Sequence, residues 1–395
     1  MRHPPPRPNR VIYLDNQATT PCDPRVLAAM LPFFAERFGN PASAEHLMGA
    51  DAEAAVETAR AHVAALIGAG ANEVIFTSGA TESNNVAIKG AARHARRTGD
   101  ARRRIVCPAT EHKCVRESVS DLAEEGFEPV FLPVRPDGLL DPDRLRAALT
   151  VPTLLVSVMA VNNETGVVQD IPTLAAIARQ AGALFHTDAA QGVGKVPVDV
   201  AASRIDLLSL SGHKLYGPKG VGALYVRRRP RVRLTPLFSG GGQERGLRAG
   251  TLPAPLIVGL GEACRLAAAE MTAEAERLAT LSARLLDRLH AAIPGLTVNG
   301  SMTARIAGNL NVAFPGLRAN ELMARAPALC VSTGSACASA EIEPSYVLRA
   351  MGLSDDAAGR SLRIGLGRFT SAADIDDAAA ALIAAHAGSP ATTLA

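Results

Sequence analysis

No stretch of this 395-residue chain approaches the roughly 18 consecutive apolar residues that a membrane span requires, so no spanning helix is expected. The basic opening MRHPPPRPNR has no apolar segment behind it, which argues against a secretory signal and for a cytoplasmic protein. Six cysteines (Cys22, Cys107, Cys114, Cys264, Cys330 and Cys337) form no CxxC pair and no metal-ligand spacing. They read as free thiols of a reducing compartment, most of them small buried hydrophobes, and no metal site is expected. Net charge is also scarce: at +3 it is too small to imply direct nucleic-acid binding. The basic residues nevertheless cluster at 102–104 and 227–233, where a solvated face and a docking site are both open readings. Internal repeats and low-complexity segments are absent.

What the chain does have is a soluble globular composition, with 48% hydrophobic and 20% charged residues, and a length that suggests more than one domain. From residue 70 to about 226, short apolar runs alternate with amphipathic stretches. The segments 73–77, 104–107, 153–159, 183–187, 205–210 and 221–226 read as buried strands, and 84–97, 113–125 and 173–181 as helices between them. That alternation predicts an α/β domain around a mostly parallel sheet. Residues 254–290 are helical in character, and 309–314 and 361–366 read as strands of a smaller α+β domain. The expected division is a large domain over 15–262 and a small one built from 1–14 and 263–395.

In such a sheet, ligands bind beyond the carboxyl ends of the strands. Ser78-Gly79-Ala80-Thr81 follows one strand and opens a helix, a place where free N–H groups can hold an anion, although a simple helix cap explains it equally. Asp188 follows another strand and could cap a helix, ligate a metal or pair with a ring nitrogen. Lys214 lies in LSLSGHKLYGPKG, an apolar and glycine-rich turn. A buried ammonium is costly unless its pKa falls or it is used covalently, as in a Schiff base; a snorkelling surface lysine is the plainer alternative. An anion loop, a strand-end aspartate and a strand-end lysine, in that chain order, match what pyridoxal 5′-phosphate requires: a phosphate cup, a pyridinium partner and an amine.

These segments belong to a longer series: YLDNQATTPCDPRV (13–26), FGNPAS (38–43), FTSGATESNN (76–85), ATEHK (109–113), VNNETGVVQDI (161–171), HTDAAQGVGK (186–195), SLSGHKLYGPKGVGALYVRR (209–228), GGGQERGLRAGTLP (240–253), VSTGSACAS (331–339), EPSYVLRAMGL (343–353) and RIGLGRFT (363–370). The series resembles the group I (NifS/IscS-type) cysteine desulfurases of the class V aminotransferase family, which have the type I fold of pyridoxal-phosphate-dependent transferases. The resemblance implies that Lys214 carries the cofactor and moves protons at the substrate α-carbon. It places Asp188 at the pyridinium nitrogen, His112 on the ring face as an acid/base, Gln191 at the ring oxygen and Asn163 beside substrate and cofactor. Ala80, Thr81, Ser211 and His213 would hold the phosphate, Thr251 would reach the phosphate of a second subunit in a homodimer, and Arg363 would clamp the substrate carboxylate. Cys337, in the glycine- and serine-rich STGSACAS, reads as a mobile-loop thiol and matches the family's nucleophile. His186 has no matching catalytic role and is taken as structural; Cys330 is expected to be packed, and Cys114 lies near the site without a role.

The activity so implied takes L-cysteine to L-alanine and passes the sulfur, as a persulfide on Cys337, to an acceptor protein such as an iron–sulfur scaffold. Cys337 could also ligate an iron–sulfur cluster transiently. A selenocysteine lyase or another class V aminotransferase would share Lys214 and Asp188, but an aminotransferase has no use for Cys337. A non-catalytic sulfur carrier or partner-binding scaffold would need none of Lys214, His112 and Cys337. The arginines at 227, 228, 229, 231 and 233 resemble a patch that relatives use for acidic partners.

Overall fold

The structure is a computed structural model that describes residues 11–334 and 344–388. The strands are β1 (Ile12–Tyr13), β2 (Val74–Thr77), β3 (Arg104–Pro108), β4 (Glu128–Leu132), β5 (Thr153–Ser157), β6 (Leu184–Asp188), β7 (Leu207–Ser211), β8 (Gly222–Val226), β9 (Thr297–Val298), β10 (Asn309–Ala313), β11 (Leu329–Cys330) and β12 (Ser361–Gly365). Helices α1 (Pro24–Met30), α2 (Pro32–Ala35), α3 (Leu47–Leu66), α4 (Ala80–Arg97), α5 (Lys113–Asp121), α6 (Pro142–Ala148) and α7 (Ile171–Gln180) lie within or before the large sheet region. The others are α8 (Ala254–Ala292), α9 (Ala319–Arg325), α10 (Tyr346–Ala350), α11 (Asp355–Gly359) and α12 (Ala372–His386).

Seven strands form one sheet in the order β2-β8-β7-β6-β5-β3-β4. All neighbouring pairs are parallel except those made by β8, which runs antiparallel to both β2 and β7. β5, β7 and β8 are buried along their whole length, as expected for strands covered by helices on both faces. β4 was not expected from the sequence. It is an edge strand, mostly half-exposed and interrupted by Pro129, so it lacks the continuous apolar run that marks its neighbours. The other boundaries move by a few residues; Asp188, expected just after its strand, is the strand's last residue.

A second, three-stranded sheet has the order β12-β10-β9 and is antiparallel; β1 pairs with β11. The 39-residue helix α8 links the two regions. Its first half, including Ile257, Leu260 and Leu266, packs in the core of the large sheet. Its second half, including Leu278, Leu285 and Leu289, packs with Ile12, Leu14, Leu310 and Ile364 in a separate core.

One buried ion pair fixes the approach of the glycine-rich segment after β8. Arg60 of α3 is 4% exposed and forks onto Glu244 with two bonds of 2.8 Å, while it also donates to the Val74 carbonyl and covers the Phe76 ring. Glu244 in turn accepts from the Phe76 N–H at 2.6 Å. Glu244 and Arg245 both have positive φ, 46° and 58°, a conformation that L-residues hold only when their surroundings impose it. Removing one partner would strand a buried charge. Arg60→Met should therefore lower unfolding stability by about 3–5 kcal/mol, read from the midpoint of a denaturant titration.

Candidate active site

The polar residues expected at strand ends converge on one cavity of about 700 Å³. Ala80, Thr81, His112, Asn163, Asp188, Gln191, Ser211, His213, Lys214 and Arg363 all line it. Thr251 does not; it is exposed and borders a separate surface hollow with Phe238, Arg248 and Gly250. Cys337 lies outside the described residues, although Gly334, three positions before it, borders the cavity.

At one end, β2 runs into Ser78-Gly79 and then α4, an 18-residue helix whose first N–H groups have no intrahelical acceptors. Gly79 has φ +152°, and on β8 a Cβ at Gly222 would come within 2.7 Å of Gly79 Cα, so both glycines are needed for this close approach. Ser211, Lys219 and His213 stand opposite in the cavity wall. His213 bonds Thr19 Oγ1 at 3.1 Å, and burial brings its pKa down to about 4, so it is neutral at physiological pH.

At the other end, Asp188 is buried and held from two sides. Its Oδ2 accepts from Asn84 Nδ2 at 2.7 Å and its Oδ1 from the Ala190 N–H at 3.0 Å. The same Asn84 amide lies 3.1 Å from Cys114 Sγ, which is 3.0 Å from His112 Nδ1. Burial pushes the Cys114 thiol up to about 12, so it stays protonated. His112 begins α5 as its N-cap; burial lowers its pKa, Asp188 opposes the shift, and Lys214 and Lys113 reinforce it. Its imidazole is thus neutral near pH 7.

Lys214 ends the short turn after β7, with its ammonium on the carbonyls of Gln17 and, at 2.7 Å, Ala18. Burial and then the Arg363 charge bring its pKa down to about 8, against Asp15 and Asp188. Gln191 donates to the same Gln17 carbonyl and accepts from Lys195, whose pKa burial brings to about 7. Arg363, 3% exposed on β12, pairs with Asp15 Oδ1 at 2.7 Å and donates to the Asn163 carbonyl at 3.0 Å. Its Nε and the Asn163 Oδ1 are buried without partners among the described residues. These orphaned atoms, a helix N-terminus facing Ser211, a buried carboxylate and a low-pKa lysine on one cavity fit pyridoxal phosphate and a substrate carboxylate.

Sequence reasoning missed several members of this site. Asn84 stands on the buried face of α4 within SNN, and Asp15 lies in YLDN, where a polar residue beside apolar positions was the available signal. Glu111, in TEHK, is fully buried; its Oε1 accepts from the Met159 N–H at 2.6 Å, and burial holds its pKa far above the carboxylate range. His186, read as structural, is buried between Ser157 Oγ at 2.8 Å and Ser209 Oγ at 3.1 Å. Cys330, expected to be packed, is half-buried. Among the described residues no cluster of three or more metal-ligating side chains occurs.

Residues 12–377 match the family described as aminotransferase class-V. The chain is 55% identical over 368 residues to a mitochondrial cysteine desulfurase of Arthroderma benhamiae, covering 93% of this chain and 73% of that protein. It is 52% identical over 369 residues to the cysteine desulfurase IscS of Rickettsia felis, covering 93% of this chain and 89% of that one. Among solved structures, a NifS-like protein superposes with a TM-score of 0.87 at 34% identity, covering 95% of this chain and 98% of the other.

A lysine at about 8 loses its charge well below the ordinary range near 10.4, so the Lys214 amine becomes free as pH rises from 7 to 9. In cofactor-free protein, reductive trapping of Lys214 by a neutral aldehyde should rise through that window and level off above it. Peptide mapping reads the site, and exposed lysines should still be gaining reactivity at pH 10.

Proposed function

The chain belongs to the aminotransferase class-V family and is a pyridoxal-phosphate-dependent cysteine desulfurase, and we propose that its own residues divide the conversion of L-cysteine to L-alanine as follows. The observation that carries this reading is Lys214, Asp188, His112 and Arg363 around one cavity that reaches the threshold of the Cys337 segment. Pyridoxal phosphate supplies a carbonyl that condenses with amines and an electron sink that acidifies the substrate α-carbon. Lys214 would hold it covalently, Asp188 with Asn84 would face its ring nitrogen, and His112 its ring face. Gln191 would bond its ring oxygen, and Ala80, Thr81, Ser211 and His213 its phosphate.

Arg363 binds the cysteine carboxylate through its planar fork, with Asn163 beside it. Asp15 already occupies one side of that fork, so the substrate shares the guanidinium or displaces Asp15. Lys214, as a neutral amine, takes the α-proton. The Cys337 thiolate attacks the sulfur of the substrate, the substrate carbon–sulfur bond breaks, and the carbon fragment takes up protons and leaves as L-alanine. The displaced sulfur remains as a persulfide on Cys337, ready for an acceptor protein in iron–sulfur or thiolation chemistry.

Two surfaces support partners. Leu31, Phe34, Phe38 and Leu47, each more than half exposed, line the outer side of α1, α2 and the start of α3. We read this face and the exposed Thr251 segment as contacts of a homodimer. Residues 15–262 then serve as the cofactor-binding unit and 1–14 with 263–395 as the smaller one. The two basic clusters differ. Arg102 pairs with Asp100 and Arg104 with Glu128, while Arg103 bonds the backbone carbonyls of Asp100 and Arg102, so most of 102–104 is engaged within the chain. Arg227 is likewise spent on Asp206, but Arg228, Arg229, Arg231 and Arg233 are exposed and suit an acidic acceptor. Among the described residues no helix is long and apolar enough to cross a membrane, and a cytoplasmic location is our reading.

Cys337→Ala should keep the yellow cofactor and its spectral response to cysteine while sulfide release falls to background; substantial sulfide release would remove Cys337 from the mechanism. Lys214→Ala should lose both colour and turnover. Charge reversal at Arg228, Arg229, Arg231 and Arg233 should slow sulfur transfer to a protein acceptor by roughly tenfold or more at low salt, and much less at high salt. Alanine formation with a small thiol reductant should be unaffected by that change. Sedimentation should show a dimer, and a fully active monomer would contradict the shared-site reading.

A further inference from the structure

Glu164 follows Asn163 in the turn after β5 and is 2% exposed. Its backbone is pinned on both sides. The Glu164 N–H donates to Asn162 Oδ1 at 2.9 Å, and its carbonyl accepts from Asn311 Nδ2 at 3.2 Å and Asn309 Nδ2 at 3.4 Å. The side chain is therefore presented from a fixed point that joins the two core regions.

Its carboxylate meets both flanks of the segment 335–343. On the carboxyl side, Ser345 donates its hydroxyl to Glu164 Oε2 at 2.5 Å, and the same Ser345 oxygen caps α10 by accepting the Leu348 N–H. On the amino side, Gly334 lies so close that a Cβ would stand 2.8 Å from Glu164 Oε2, and its φ of +93° also favours glycine. One buried carboxylate thus borders the last residue before the segment and bonds a residue just after it. Neither the chemistry at Lys214 nor the carboxylate clamp uses this group.

We propose that Glu164 is a positioning residue that ties the carboxyl flank of the Cys337-bearing segment, at Ser345, to the substrate-binding wall while its carboxylate packs against Gly334 on the amino flank. The inference rests on Cys337 being the sulfur acceptor. A charged acceptor makes the stronger hydrogen bond, so the tie is strongest when Glu164 is ionised. Burial raises its pKa to about 6, against the Ser345 bond and the positive charges of Arg363 on β12 and Lys113 on α5. Among the described residues it also faces Tyr346 of α10, whose phenol is kept protonated by burial first and by Glu164 next. Above about pH 6 the tie is charged; below it Glu164 is neutral, and a glutamine in its place should make little difference.

The test is the alkylation rate of Cys337 by iodoacetamide in cofactor-loaded protein, read by peptide mass spectrometry, with the half-buried Cys330 and Cys22 as internal references. At about pH 8, Glu164→Gln should raise the Cys337 rate roughly tenfold, the effect expected from losing a hydrogen bond to a charged group. The variant-to-wild-type ratio should fall towards one as pH drops to about 5, and the reference cysteines should not change. A ratio of one at high pH, a ratio independent of pH, or an equal rise at all three cysteines would overturn the proposal. Ser345→Ala removes the same bond from the other side and serves if Glu164→Gln does not fold. It should raise the Cys337 rate alone, and the double variant should be no faster than Glu164→Gln; additive rates would count against a shared tie. This readout needs no turnover, so its failure is distinct from failure of Cys337 as sulfur acceptor, which Cys337→Ala addresses.

Discussion

Lys214 gives up most of its hydration at the end of β7 and recovers part of it from two backbone carbonyls, Gln17 and Ala18. Burial of an ammonium is tolerated when the proton leaves easily, and a pKa near 8 is the outcome. Much of the site is arranged around that desolvated amine. The segment 16–20 crosses from the small core to the cavity to supply the carbonyls, and Thr20 bonds the backbone of His213 at the next turn. Gln191 shares the Gln17 carbonyl, so the residue assigned to the ring oxygen and the one assigned to the covalent link are set by one acceptor.

Two buried carboxylates, Asp188 and Glu111, have different surroundings. Asp188 receives two hydrogen bonds, from Asn84 and the Ala190 N–H. Glu111 receives one, from Met159, its other oxygen has no partner among the described residues, and burial raises its pKa well above the usual carboxylate value. Between these fixed groups, His112 and Cys114 sit in contact without carrying charge. The second region contributes Arg363, which reaches the cavity from β12 already paired with Asp15. Substrate recognition therefore depends on packing between two cores that share helix α8.

Much of this was legible in the sequence, for reasons that differ from residue to residue. A buried parallel strand such as β5 carries a continuous apolar stretch at 154–156, and a lysine in a glycine-rich apolar turn is costly enough to attract notice. The edge strand β4 was not legible because half-exposed positions and Pro129 dilute the pattern. Asn84, Asp15 and Glu164 act through partners distant in the chain, as Asp15 does on Arg363, and no local period encodes such contacts. The basic clusters stayed open for a related reason: the sheet brings Glu128 to Arg104 and Asp206 to Arg227, whereas Arg102 meets Asp100 only two residues away. Thr251 borders a separate hollow within one chain, and its assigned role depends on a second copy.

The most direct measurement of the account is the fate of sulfur in a single turnover with isotopically labelled L-cysteine and no reductant. The account predicts one equivalent of alanine per active site, with one added labelled sulfur atom on the peptide containing Cys337 and none on the peptides of Cys114 or Cys330. Alanine formed without labelled sulfur on Cys337, or with the label on Cys114 inside the cavity, would contradict it.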